Sequence, residues 1–90
     1  MSDNTPTTER VVNIVQRTLM MHSISASVRP NDDLGDLGLS SLALADLALS
    51  VEAEFSLTIP DSEMVLANFR SISAISKLVS ALLNANLRDG

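Results

Sequence analysis

Apolar positions recur at helical spacing in three stretches of the chain, and these predict its main elements. Val11, Ile14, Val15, Thr18, Leu19 and His22 fall at i, i+3, i+4, i+7, i+8 and i+11, one face of an amphipathic helix over roughly residues 7–22. Pro6-Thr7-Thr8-Glu9 supplies its start, with proline in the first turn and an acid near the positive end of the dipole. Val12, Met20 and Met21 flank the stripe. Leu44, Leu47, Ala48, Val51 and Phe55 repeat in the same way and predict a second helix, capped by Ser40 or Ser41 and running to about Phe55. Leu42, Ala45, Asp46, Leu49 and Ala53 line its other face. Ile72, Ile75, Leu78, Val79 and Leu82 mark a last helix, capped by Ser71 and fraying after Asn84.

The segments between them read differently. Residues 23–40 carry Ser23, Ser25, Ser27, Pro30, Gly35 and Gly38, which predicts a long connection. Ile24, Val28, Leu34 and Leu37 are its inward anchors, so the expectation is an ordered crossover. Ile59-Pro60-Asp61 ends a short loop and opens a short helix, with Asp61 as N-cap and Met64, Val65 and Leu66 filling it. The predicted architecture is all-α: an irregular four-helix bundle of three main helices, a short third helix and a long first connection. Residues 1–6 are expected to be a disordered leader, 7–85 the single domain, and 86–90 a flexible tail.

Composition narrows the class. Apolar residues make up 46% of the chain but aromatics only 2%, so the core is built from aliphatics and methionine, which suits helix packing. Cysteine is absent, which removes disulfides and thiolate metal sites. The apolar runs are too short and too interrupted for membrane insertion, and a polar acidic start carries no signal-peptide pattern; a cytoplasmic protein is the expectation. The net charge is −5, and its placement is uneven. Between Arg29 and Arg70 lie eight acids and no Lys or Arg, a local charge of −8. Such a field repels nucleic acid and favours basic protein surfaces.

The candidate chemistry sits in Asp36-Leu37-Gly38-Leu39-Ser40-Ser41-Leu42. A glycine two residues before a capping serine lets the chain turn sharply and keeps a hydroxyl on the surface at a helix N-terminus. Free backbone N–H groups there suit a phosphodiester. A plain serine cap closing a loop fits the same spacing. The segment resembles the attachment signature of acyl carrier proteins, Asp-Leu-Gly-x-Asp-Ser-Leu. The likeness continues in register through Leu44-Ala45-Asp46-Leu47, Val51-Glu52-Ala53-Glu54-Phe55, Ile59-Pro60-Asp61 and Phe69-Arg70-Ser71-Ile72, about residues 8–84 in all. Ser40 stands where fatty-acid carriers have Asp, and alignment through Leu42 makes Ser41 the modified residue. Gly38-Leu39-Ser40-Ser41 and Asn68-Phe69-Arg70-Ser71-Ile72 also resemble small aminoacyl carrier proteins, which are loaded by ligases related to aminoacyl-tRNA synthetases.

The resemblance implies a non-catalytic carrier that acts as a monomer with transient partners. A phosphopantetheinyl transferase moves 4'-phosphopantetheine from coenzyme A onto Ser41, and the arm's thiol holds cargo as a thioester. Partners would be that transferase, an acyl- or aminoacyl-loading ligase, and downstream transferases or synthases with basic docking surfaces. Leu42, Ala45, Asp46, Leu49 and Glu52 are the expected docking residues, although Leu42 and Leu49 partly buried against the long loop is the alternative. Leu47, Met64, Leu66 and Phe69 are the expected lining for an acyl cargo of a fatty-acid, lipid or specialised pathway. Acyl cargo is the main expectation; an amino acid cargo is the alternative and needs no such cavity. An enzyme is disfavoured, since the one histidine, His22, reads as a boundary residue. No metal site is expected: a calcium loop counted from Asp32 has Leu37 and Ala43 where Gly and Glu are required. An unmodified helical adaptor would share every feature except the fate of Ser41.

Overall fold

The computed structural model describes residues 6–89, with side chains from Thr7 to Ala85. Residues 1–5 of the expected leader and Gly90 of the expected tail lie outside the described residues. Helix α1 spans Pro6–Met21, α2 spans Ser41–Phe55 and α3 spans Ile72–Asp89, with 3-10 turns at Asp61–Glu63 and Leu66–Phe69. The described residues are all helical or irregular.

Helix α1 is the central element: it packs against both α2 and α3, and the second 3-10 turn bridges those two. Its stripe is closed off from solvent, with Val11, Ile14, Val15, Thr18 and Leu19 at 2% exposure or less. Thr18 is the polar member, and its hydroxyl donates to the Ile14 carbonyl at 3.0 Å, which satisfies it locally. From α2 come Ala43, Leu47, Ala48, Val51 and Phe55, and from α3 Ile72, Ile75, Leu78 and Val79.

Both α1 and α2 end on a serine in the left-handed region, Ser23 at φ 60° and Ser56 at φ 53°. The amides that follow reach back over the last turn, Ile24 N–H to Leu19 O at 2.8 Å and Leu57 N–H to Glu52 O at 3.1 Å. Such stops satisfy carbonyls that the helix leaves open, usually with glycine at the left-handed position.

The first connection is pinned. Leu34 is fully buried, its N–H donates to the Arg70 carbonyl at 2.7 Å, and Ser73 N–H donates to the Pro30 carbonyl at 2.9 Å. Ile24, Val28 and Leu37 pack against the core as half-buried anchors. Leu39, absent from the expected anchors, is buried as well.

Three expectations are corrected. The short third helix is replaced by two 3-10 turns, with Val65 extended between them at φ −123°, ψ 149°. Met64, Val65 and Leu66 are exposed there, so little burial rewards an α-helical turn. Asn68 Nδ2 also donates to the Glu63 carbonyl at 2.8 Å, taking an acceptor that a continuous helix would use. Asp61 is the first residue of its turn rather than the N-cap; Pro60 holds that position without a side-chain bond. At the other end α3 passes the fraying expected after Asn84 and continues to Asp89. Ser71 does cap α3, accepting from Ala74 N–H at 3.1 Å.

Candidate functional site at the start of α2

The entry to α2 separates two neighbouring serines by their work. Gly38 takes φ +109°, a conformation that side chains rarely adopt. Leu39 follows as a buried plug, its N–H donating to the Leu34 carbonyl at 3.2 Å. Ser40 is then extended, and its Oγ accepts from Ala43 N–H at 3.2 Å. That makes Ser40 the cap, bonded to one of the amides with no carbonyl inside the helix. Ser41 is the first helical residue, and it is exposed.

Ser41 stands between two open grooves. One, about 180 Å³, is walled by Leu44, Ala45 and Ala48 from α2 and by Met64, Val65, Leu66 and Phe69 from the 3-10 segment. It is apolar apart from Ser41. The other, about 220 Å³, shares Ser41, Leu44 and Leu66 and adds Asp33, Gly35, Leu39 and Arg70. Of the expected lining residues, Met64, Leu66 and Phe69 are in the first groove. Leu47 is not: at 0% exposure it belongs to the closed core. Leu44 and Ala48 take its place, at the edge of the stripe that the periodicity assigns to the core. Asp33 and Arg70 were not singled out from sequence, since they lie 37 positions apart and the backbone bond between Leu34 and Arg70 brings them together.

The other expected residues divide. Leu42 and Leu49 are 72% and 62% exposed and Ala45 is exposed too, so this strip of α2 faces solvent rather than the long loop. Asp46 is half-buried beside it, its Oδ2 3.2 Å from His22 Nε2. His22 is thus a boundary residue tying the end of α1 to α2. Glu52 has a structural occupation that the docking expectation did not include. Its Oε2 accepts from Ile59 N–H at 2.7 Å and holds the loop after α2. Among the described residues no group of three His, Cys, Asp or Glu side chains is placed to hold a metal ion. No helix of the described residues is long and apolar enough to cross a membrane.

Comparison with known proteins bears directly on this site. A family described as "Phosphopantetheine attachment site" matches residues 9–79. Aminoacyl carrier protein 2 of Bradyrhizobium diazoefficiens is 43% identical over 70 residues, covering 78% of this chain and 79% of that protein. Aminoacyl carrier protein 1 of the same organism is 38% identical over 80 residues, 89% of each chain. Among solved structures, one similar chain comes from the Bradyrhizobium japonicum glycine:[carrier protein] ligase complexed with cognate carrier protein and an analogue of glycyl adenylate. It matches with a TM-score of 0.71 and 36% identity, covering 82% of this chain and 96% of that one. A chain from the same ligase complexed with glycylated carrier protein matches with a TM-score of 0.68 and 37% identity, over 79% and 96%.

Proposed function

Because this chain belongs to the acyl and aminoacyl carrier protein family, a family of non-catalytic carriers with covalently attached 4'-phosphopantetheine, we propose that Ser41 bears the arm and that the cargo is an amino acid. The observation that carries the assignment to Ser41 is the split between the two serines. Both serines are exposed, but the Ser40 hydroxyl is occupied as the cap of α2, whereas Ser41 stands at the first helical position and borders both grooves.

The residues present fit the group. The Ser41 oxygen is open to a modifying enzyme, and the first turn of α2 offers backbone amides and the positive end of a helix dipole to a phosphodiester. The arm supplies a terminal thiol, on which cargo is held as a thioester, to a chain that has no cysteine of its own. Ser41 needs no neighbouring base, since the transferase provides the chemistry and Ser41 is its substrate. Leu42, Ala45 and Leu49 offer a desolvating strip to a partner, and the acidic middle of the chain steers basic surfaces toward it.

Amino acid cargo is favoured over fatty acyl cargo by the two curated relatives, both named aminoacyl carrier proteins. The loading partner of this reading is an ATP-dependent amino acid ligase. The reading is tested on the modified chain with such a ligase, ATP, magnesium and single amino acids. The expected result is a mass gain of one aminoacyl group that hydroxylamine removes. A chain that takes malonyl or fatty acyl groups from the corresponding transferases, and no amino acid from any ligase, contradicts it.

A further inference from the structure

We propose that Arg70, with Asp33 as its resting partner, is a positioning residue for the phosphodiester that joins the arm to Ser41; this rests on the reading of Ser41 above. Among the described residues Arg70 is the one cation lining either groove at Ser41, and it lines the second together with Ser41 itself. Between Pro30 and Phe69 the chain has no Lys or Arg, so a new negative charge on Ser41 enters a segment already at −8. Arg70 is the cation that this segment meets at its end.

Its present pairing is loose. Arg70 Nε lies 3.7 Å from Asp33 Oδ2, beyond good hydrogen-bond range, with the Arg70 side chain 67% exposed and that of Asp33 41%. A solvent-accessible pair of this kind contributes little to stability. The other Asp33 oxygen is fixed by accepting from Gly35 N–H at 2.8 Å, so the carboxylate stays in place while the guanidinium is free to leave it. A phosphodiester keeps its charge at all working pH and offers two oxygens to the planar guanidinium fork, a stronger match than one distant carboxylate oxygen. The backbone of Arg70 is meanwhile anchored, its carbonyl accepting from the buried Leu34. A mobile charged head on a fixed base can exchange Asp33 for the phosphodiester without moving the fold. The consequence is that the arm's first segment is held toward the start of α3, and the apolar groove beside Ser41 stays open.

The test uses the full chain, unmodified and then modified with coenzyme A and a phosphopantetheinyl transferase, with the site of the added mass mapped first. The expected result is a shift of the Arg70 Nε–H resonance on modification while that of Arg10, already bonded to Glu54, stays still. Arg70→Gln should slow 31P transverse relaxation of the phosphodiester, Arg70→Lys should restore part of it, and Asp33→Asn should leave it at or above the wild-type rate. Raising the salt to about 0.5 M should shrink the Arg70 shift, because the contact is exposed. An Arg70 resonance identical in the two forms, or 31P relaxation unchanged by Arg70→Gln, overturns this proposal alone. No added mass, or mass on a residue other than Ser41, overturns the reading of Ser41 and this proposal with it.

Discussion

Helices α1 and α2 are nearly equal in length, 16 and 15 residues, yet they dispose of their apolar side chains in opposite ways. In α1 the stripe from Val11 to Leu19 is buried and the outer positions Asn13, Gln16 and Arg17 are polar; only Met20 and Met21, at its last turn, stand out into solvent. In α2 one face is buried from Ala43 to Phe55 while Leu42, Ala45 and Leu49 are left on the outside. The acids of α2 have intramolecular partners: Asp46 meets His22, Glu52 holds Ile59 N–H, and Glu54 Oε2 accepts from Arg10 at 2.8 Å. Beyond Ser41 at its start, what α2 offers outward is therefore the apolar strip of Leu42, Ala45 and Leu49. The difference teaches that α1 spends its apolar surface on the fold up to its last turn, whereas α2 buries one face and keeps an apolar strip open along the other, where the proposed partner would dock.

The contrast is broken most severely from the buried face. Leu47→Ala should cost about 2–5 kcal/mol, read as a lower midpoint in urea, against a total stability of roughly 5–15 kcal/mol for a domain. The entry to α2 is next. Ser40→Ala removes the bond to Ala43 and should cost about 1 kcal/mol in the same assay. Ser41→Ala, at an exposed first-turn position, should stay within about 0.5 kcal/mol of wild type. The clasp at the other end of α2 is weaker still. Arg10 lies 4.4 Å from the Phe55 ring centroid and pairs with Glu54 on a partly exposed surface. Arg10→Ala should lower stability by about 1 kcal/mol or less, and the loss should shrink in high salt. Last comes the outer face, where Leu42→Ser with Leu49→Ser should move stability by no more than about 0.5 kcal/mol. In the proposed aminoacyl loading reaction, the same pair should lower efficiency on the order of tenfold. Equal stability losses from Leu47 and from this pair would erase the distinction between the two faces.

Much of this was legible in the sequence because helical spacing reports burial. The stripes of α1, α2 and α3 are where periodicity put them, and Ser71 is the cap of α3. Periodicity cannot see what a non-local contact decides. Leu47 and Leu44 lie on the same predicted face, and only the bridging 3-10 turn makes one a core residue and the other a groove wall. Asp61 has the chemistry of a cap, yet the chain after Pro60 winds as a 3-10 turn whose side chains face solvent. Asp33 and Arg70 were invisible for the same reason. At Ser40-Ser41 both hydroxyls satisfied the spacing, and the register of α2 distinguished cap from free side chain.

The central claim is that one of two adjacent hydroxyls is structural and the other is modified, and peptide-resolved mass spectrometry after transferase treatment tests it most directly. Ser40→Ala should acquire one phosphopantetheine, carried on Ser41, and Ser41→Ala should acquire none. Modification of Ser41→Ala at Ser40, or a wild-type chain that refuses the group from an active transferase, would contradict the account.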